Sequence, residues 1–144
     1  MTEELNTGLL LFLAYRAMET RVFDELAAAG FDDLTPSQAR VFQRIAPDGS
    51  RLTDLARQAG IAKQSAAFLV EKLERAGYVH TVPDPDDGRA RLVRIAERGA
   101  RSVEAARAVV AQVEAEWEAH LGARRMAQLR SALTDLREIT DPWR

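Results

Sequence analysis

The chain has 144 residues, 47% hydrophobic and 29% charged, proportions that fit a globular domain with a buried core and exclude a disordered segment. It contains no cysteine, which excludes disulfides, thiolate catalysis, cysteine-ligated zinc and any cysteine-oxidation switch. The net charge of −2 is unevenly spread: residues 1–50 sum to −4, 51–94 to +2 and 95–144 to zero, so the basic excess is confined to the middle third.

The first expected helix runs from Glu4 to Ala29, with Leu5, Leu9, Phe12, Leu13, Ala17, Val22, Phe23 and Leu26 at helical spacing and Gly30 as its stop. Leucines on adjacent positions spread its apolar surface over much of the circumference. Such a helix needs cover on more than one side, and in a short chain a second subunit can supply it. The apolar run Leu9–Tyr15 is far below the ~20 residues that cross a bilayer. It follows Glu3 and Glu4 rather than the basic stretch of a secretory signal, so the expectation is a soluble cytoplasmic protein with no membrane partner.

Thr35-Pro36-Ser37-Gln38 reads as a capping box: threonine at N-cap, proline at the first helical position, glutamine reaching back from the third. That helix is expected to reach about Ile45, before the turn Pro47-Asp48-Gly49. Next, Thr53 is expected to cap a short helix, with Asp54 at its positive end and Gly60 closing it in the left-handed conformation. A second helix follows from about Ala62 to Ala76, with a stripe of Ala66, Leu69, Val70 and Leu73 and a stop at Gly77. Two short helices joined through a glycine, over residues 52–76, form a helix-turn-helix pattern.

The period then becomes extended. Tyr78–Val82 and Arg91–Ile95 read as strands, and Pro83–Ala90 is dense in turn formers, giving one hairpin with a long loop over residues 78–95. Two helices complete the chain. The first, from Glu97 to His120, carries Val103, Ala106, Val109, Val110, Val113 and Trp117; the second, from Ala123 to Ile139, points Met126, Leu129, Leu133 and Leu136 inward. Gly122 separates them and Asp141-Pro142 ends the second.

These elements predict a mainly α fold with a small β-hairpin wing: a winged helix-turn-helix flanked by N- and C-terminal dimerisation helices. A single domain is expected over 1–144, with residues 31–99 as the winged helix and residues 1–30 and 100–144 as the dimerisation helices. Leu5, Leu9, Phe12, Leu13, Leu129, Leu133 and Leu136 are the expected dimer contacts.

The stretch Leu52–Gly77, then Tyr78-Val79, then Asp84-Pro85-Asp86-Asp87-Gly88-Arg89-Ala90-Arg91-Leu92-Val93 leading to Gly99, resembles the MarR (multiple antibiotic resistance regulator) family of winged helix-turn-helix transcriptional regulators. The order of elements fits that family over essentially the whole chain. The resemblance implies a homodimer on double-stranded DNA with a palindromic operator, acting as a repressor and released by a small-molecule effector or answering to no effector. It assigns Arg89 to the minor groove and Asp87 to steadying it, and Lys63, Gln64, Ser65 and Ala67 to the exposed front of the recognition helix. Thr53, Phe68, Lys72 and Arg91 complete the expected DNA-facing set. Phe68 departs from the polar or basic residue often found there; it either touches a thymine methyl or packs inward. Ala96 departs from the threonine that usually caps the following helix, which weakens that helix start by ~1 kcal/mol.

The rival reading is a winged-helix protein-interaction module that binds no nucleic acid. The basic middle third alone fits an ordinary solvated surface, and a helix-turn-helix spacing alone occurs in many helical proteins. An enzyme finds no nucleophile–base pairing, phosphate loop or metal-ligand spacing. His80 and His120 are read as structural or exposed, and Glu114, Glu116 and Glu118 as a solvated face. Trp117 is read as core, or as part of an effector pocket. No catalytic residue, metal ligand or cofactor is expected, and the effector site is unassigned.

Overall fold

A computed structural model describes residues 3–143; the extreme positions 1, 2 and 144 of the expected domain lie outside the described residues. Six helices and three short strands follow in the order α1 (Thr7–Ala28), α2 (Pro36–Phe42), β1 (Ser50–Arg51), α3 (Leu52–Ala59), α4 (Lys63–Arg75), β2 (Val79–Asp84), β3 (Asp87–Ile95), α5 (Glu97–Leu121) and α6 (Ala123–Thr140). The fold is mainly helical with a small antiparallel sheet, as the patterning requires. By contact the chain divides into two compact units: residues 26–105, and residues 1–25 with 106–144. The division falls a few residues from the expected boundaries at 30/31 and 99/100.

In the winged unit the capping box forms as drawn. The Thr35 hydroxyl accepts the Gln38 N–H at 3.2 Å, and the Gln38 side-chain oxygen accepts the Thr35 N–H at 2.9 Å. The helix ends earlier than expected, at Phe42, because Arg44 and Ile45 tighten into hydrogen bonds three residues back before the Pro47 turn. Val41 and Phe42 of α2, Leu55 and Ala56 of α3, and Ala66, Val70 and Leu73 of α4 are buried together with Tyr78, Val79 and Val93. The Phe42 ring meets Tyr78 edge-on with centroids 6.4 Å apart.

Thr53 does not cap α3. Strand β1 runs directly into the helix, so Arg51, still extended, occupies the N-cap without a side-chain bond and Thr53 lies inside the first turn. Gly60 does close the helix in the left-handed conformation, at φ 69°.

The sheet order is β1-β3-β2, and β1 is a strand the sequence pattern does not announce. The wing is also tighter than expected. The strands continue to Asp84 and Asp87, leaving only Pro85 and Asp86 between them rather than a loop over 83–90. Pro83 is tolerated in β2 because that strand is an edge and has no second neighbour needing its missing N–H. Pro83 faces Arg91 but Asp84 faces Asp87, so Gly88, Arg89 and Ala90 have no partner across the ladder and bulge from it.

Three chain segments meet at the start of α5. The Arg98 guanidinium donates to Asp33 at 2.9 and 3.0 Å, to the Ala76 carbonyl at 2.6 Å and to the Gly30 carbonyl at 3.1 Å. It also lies 4.5 Å from the centre of the Tyr78 ring, and the Tyr78 hydroxyl donates to Asp33 at 2.5 Å. One residue on, a Cβ at Gly99 would sit 2.1 Å from the Tyr78 carbonyl oxygen and 3.0 Å from the Phe42 ring, so only glycine fits there.

In the other unit Val109, Val113 and Met126 are buried, and Arg21 donates twice to Glu116, at 2.7 and 3.2 Å. Leu133 and Leu136 do not point inward: both are exposed, and Leu129 is half-buried. Leu5, Leu9, Leu10, Leu11, Phe12, Leu13, Tyr15, Ile139 and Trp143 are exposed as well. Among the described residues, every exposed large apolar side chain except Phe68 belongs to this unit.

Candidate nucleic-acid interface

Helix α4 begins at Lys63, and its first turn presents Lys63, Gln64 and Ser65 to solvent while Ala66 is buried beneath them. Ala67 is half-buried. Gln64, Phe68 and Lys72 recur every fourth residue and so share one exposed stripe. The Lys72 ammonium lies over the Phe68 ring, 4.6 Å from its centre, and Phe68 is 54% exposed rather than packed inward. Beside this stripe a groove of about 510 Å³ opens between α2 and α4, walled by Ser37 and Arg40 on one side and by Gln64, Ser65 and Phe68 on the other. Thr53 is exposed on α3.

The wing tip is organised by carboxylates. Asp84, buried, accepts the Arg51 guanidinium at 2.8 and 3.0 Å and the Asp86 N–H at 2.9 Å. The Asp86 N–H, and after it Arg51, hold the Asp84 carboxyl below its ordinary pKa, and Asp84 raises that of Arg51 in return. Asp87 accepts the backbone N–H of Arg89 at 3.0 Å, forming a small turn that sets the direction in which the bulge leaves the sheet. Its carboxylate acts on the Arg89 backbone, not the guanidinium, and stands 4.0 Å from Arg51. Arg51 and Asp84 were invisible as a pair to sequence reasoning because 33 positions separate them.

The cations of this unit fall into two groups. Arg51, Arg75 and Arg98 are matched to Asp84, Glu71 and Asp33, and Arg94 donates to the Asp48 carbonyl. Lys63, Arg89 and Arg91, together with Arg40 of α2 and Lys72 of α4, are exposed and have no carboxylate partner among the described residues. No group of three or more potential metal-ligating side chains occurs among the described residues. Nor is any described helix long and apolar enough to cross a membrane.

Residues 32–90, from the loop before α2 to the wing bulge, match a family model described as the MarR family. A curated relative, the transcriptional activatory protein BadR of Rhodopseudomonas palustris, is 38% identical over 52 residues. That match spans 36% of this chain and only 30% of BadR. Among solved structures, the reduced form of Escherichia coli MarR superposes with a TM-score of 0.74 at 22% identity, covering 94% of this chain and 98% of that one. A point mutant of Staphylococcus aureus MepR bound to an oligodeoxyribonucleotide superposes with a TM-score of 0.62 at 19% identity, over 95% and 99% of the two chains. NadR in complex with 4-hydroxyphenylacetate gives 0.70 at 25% identity, over 96% and 97%.

Proposed function

We propose that the chain is a transcriptional regulator of the MarR family, a cytoplasmic homodimer that binds a palindromic DNA operator; the family match over residues 32–90 and the shared fold support this reading. The observation that carries the reading is the set of exposed cations without a carboxylate partner, Lys63 and Lys72 on α4, Arg40 on α2 and Arg89 and Arg91 on the wing, in a unit whose other arginines are largely matched. A phosphate backbone is the partner that such a set lacks.

In this reading α4 lies in the major groove, whose width admits a helix. Gln64 pairs with an adenine edge, Lys63 with guanine or phosphate, and Ser65 with either a base or the backbone. Arg89, carried out on the bulge, enters the neighbouring minor groove, where negative potential is concentrated. Asp87 and the Arg51–Asp84 pair act by holding that bulge in place. The apolar residues of α1 and α6 left exposed in one chain are covered by the same residues of a second. Two recognition helices about 34 Å apart, one DNA turn, then require an inverted repeat.

Occupancy of a promoter by such a dimer represses it, and a small molecule that alters the spacing of the two heads releases it, because both half-sites must be engaged at once. The MepR and NadR complexes, with DNA and with an aromatic acid, support the two kinds of partner by analogy of fold. No enzymatic step is assigned.

The test is selection of binding sequences from a randomised duplex pool by the full chain, followed by sequencing. Enrichment of an inverted repeat with half-site centres one turn apart supports the proposal. Failure to enrich any sequence overturns it and turns the search to protein partners of the wing.

A further inference from the structure

Within the winged unit every large apolar side chain is buried or half-buried except one. Phe68 is 54% exposed, and it is the only such residue of this unit among those described. It stands in the middle of the exposed stripe of α4, one turn after Gln64 and one turn before Lys72. It also forms part of the wall of the groove between α2 and α4. A phenylalanine left in water forfeits burial that an alanine or a polar residue at that position would not sacrifice. The ring is also held: the Lys72 ammonium rests 4.6 Å from its centre, which fixes one face and leaves the rest of the ring open. An apolar probe so placed, flanked by a side chain that hydrogen-bonds and one that neutralises charge, has one apolar target in the major groove. That target is the 5-methyl group of thymine.

We propose that Phe68 is a specificity-determining residue that reads a thymine 5-methyl group in each half-site, with Lys72 holding the ring in position. The inference rests on the DNA-binding reading above and adds to it the identity of a base. Gln64, one turn nearer the helix start, then reads a base edge close to that thymine, and Lys72, one turn further on, lies towards the backbone.

The experiment uses the duplex enriched by selection and replaces each thymine in turn by deoxyuridine, which keeps every Watson–Crick hydrogen bond and removes only the methyl. Binding of the full chain is measured by fluorescence anisotropy at fixed salt. The expected result is one position per half-site at which the replacement weakens binding roughly fourfold, the factor that burial of one methyl group yields. Phe68→Ala is expected to bind the thymine duplex more weakly and to bind the thymine and uracil duplexes equally, while replacements elsewhere still act on it as on the wild type. Phe68 is exposed, so the variant is expected to melt as the wild type does; the wild-type comparison of the two duplexes stands without it. Uniform tolerance of uracil by the wild type, with selective binding retained, would overturn the role of Phe68 and leave the DNA-binding reading intact. A uracil penalty that persists in Phe68→Ala also overturns it. Absence of any selected sequence overturns both.

Discussion

Substituting Gly99 by alanine tests how the start of α5 is seated against the wing. The new Cβ would stand 2.1 Å from the Tyr78 carbonyl oxygen, 3.0 Å from the Phe42 ring and 3.1 Å from Ile95. The nearest neighbour is backbone, and it is not free to turn away, because that oxygen accepts the Ala96 N–H at 2.9 Å. Relief therefore requires α5 and β2 to separate by about 1 Å, given that ordinary contacts to a Cβ begin near 3.4 Å. Overpacking of this kind costs up to about 3 kcal/mol. A weakened hydrogen bond adds about 1 kcal/mol, and the better helix propensity of alanine returns about as much. The net expectation is a loss of about 3 kcal/mol, or a fall in melting temperature of roughly 6–12 °C for a chain of this size. The assay is thermal and urea unfolding followed by circular dichroism at matched protein concentration, since self-association of the proposed kind would contribute to apparent stability. Gly88→Ala is the control: nothing lies within 4 Å of its added Cβ and its φ is not positive, so it is expected to change stability little. A Gly99→Ala protein that melts within about 2 °C of the wild type would refute the packing argument.

Three further outcomes follow from the same geometry. Asp33 is pushed up by burial, but the hydrogen bonds from Arg98 and Tyr78 outweigh this and leave its pKa below the ordinary carboxylate value. The stabilisation is therefore complete above the unfolded value and fades as pH falls through the lowered one; Asp33→Asn should be less stable at neutral pH and lose less as the solution is acidified below the ordinary carboxylate range, as read by urea titrations. Arg51→Gln removes the partner of buried Asp84 without touching the cations that lack a carboxylate partner, so DNA affinity should fall while its salt dependence stays near that of the wild type. Phe12→Asp places charge in the exposed apolar surface of α1 and should yield a monomer by sedimentation, with half-site affinity only.

The helices were legible because their signals are local. Thr35, Pro36 and Gln38 lie within four residues, and the apolar stripe of α4 repeats inside one element. The third strand was not legible, since Ser50-Arg51 is too short to show any period and exists only by pairing with Val93 and Leu92. That same strand displaced the N-cap from Thr53 to Arg51. Pro83 and Pro85 look like breakers in the sequence and suggest a long loop; an edge strand accommodates Pro83, and the bulge lies on the opposite strand. At the candidate site the exposed face of α4 and the wing arginine were anticipated from motif and family resemblance. The Arg51–Asp84 pair was hidden by its separation in sequence, and the exposure of Phe68 was left open by a pattern that permitted either orientation.

The central claim is that this chain engages DNA through α4 and the wing, and the most direct test is the salt dependence of its affinity for the selected duplex, measured with wild type and Arg89→Ala. The account predicts a steep linear fall of log affinity with log salt in the wild type, and in Arg89→Ala weaker binding with a slope lower by about two per dimer, one for each guanidinium removed. A wild-type affinity indifferent to salt, or an Arg89→Ala protein with unchanged affinity and slope, would contradict it.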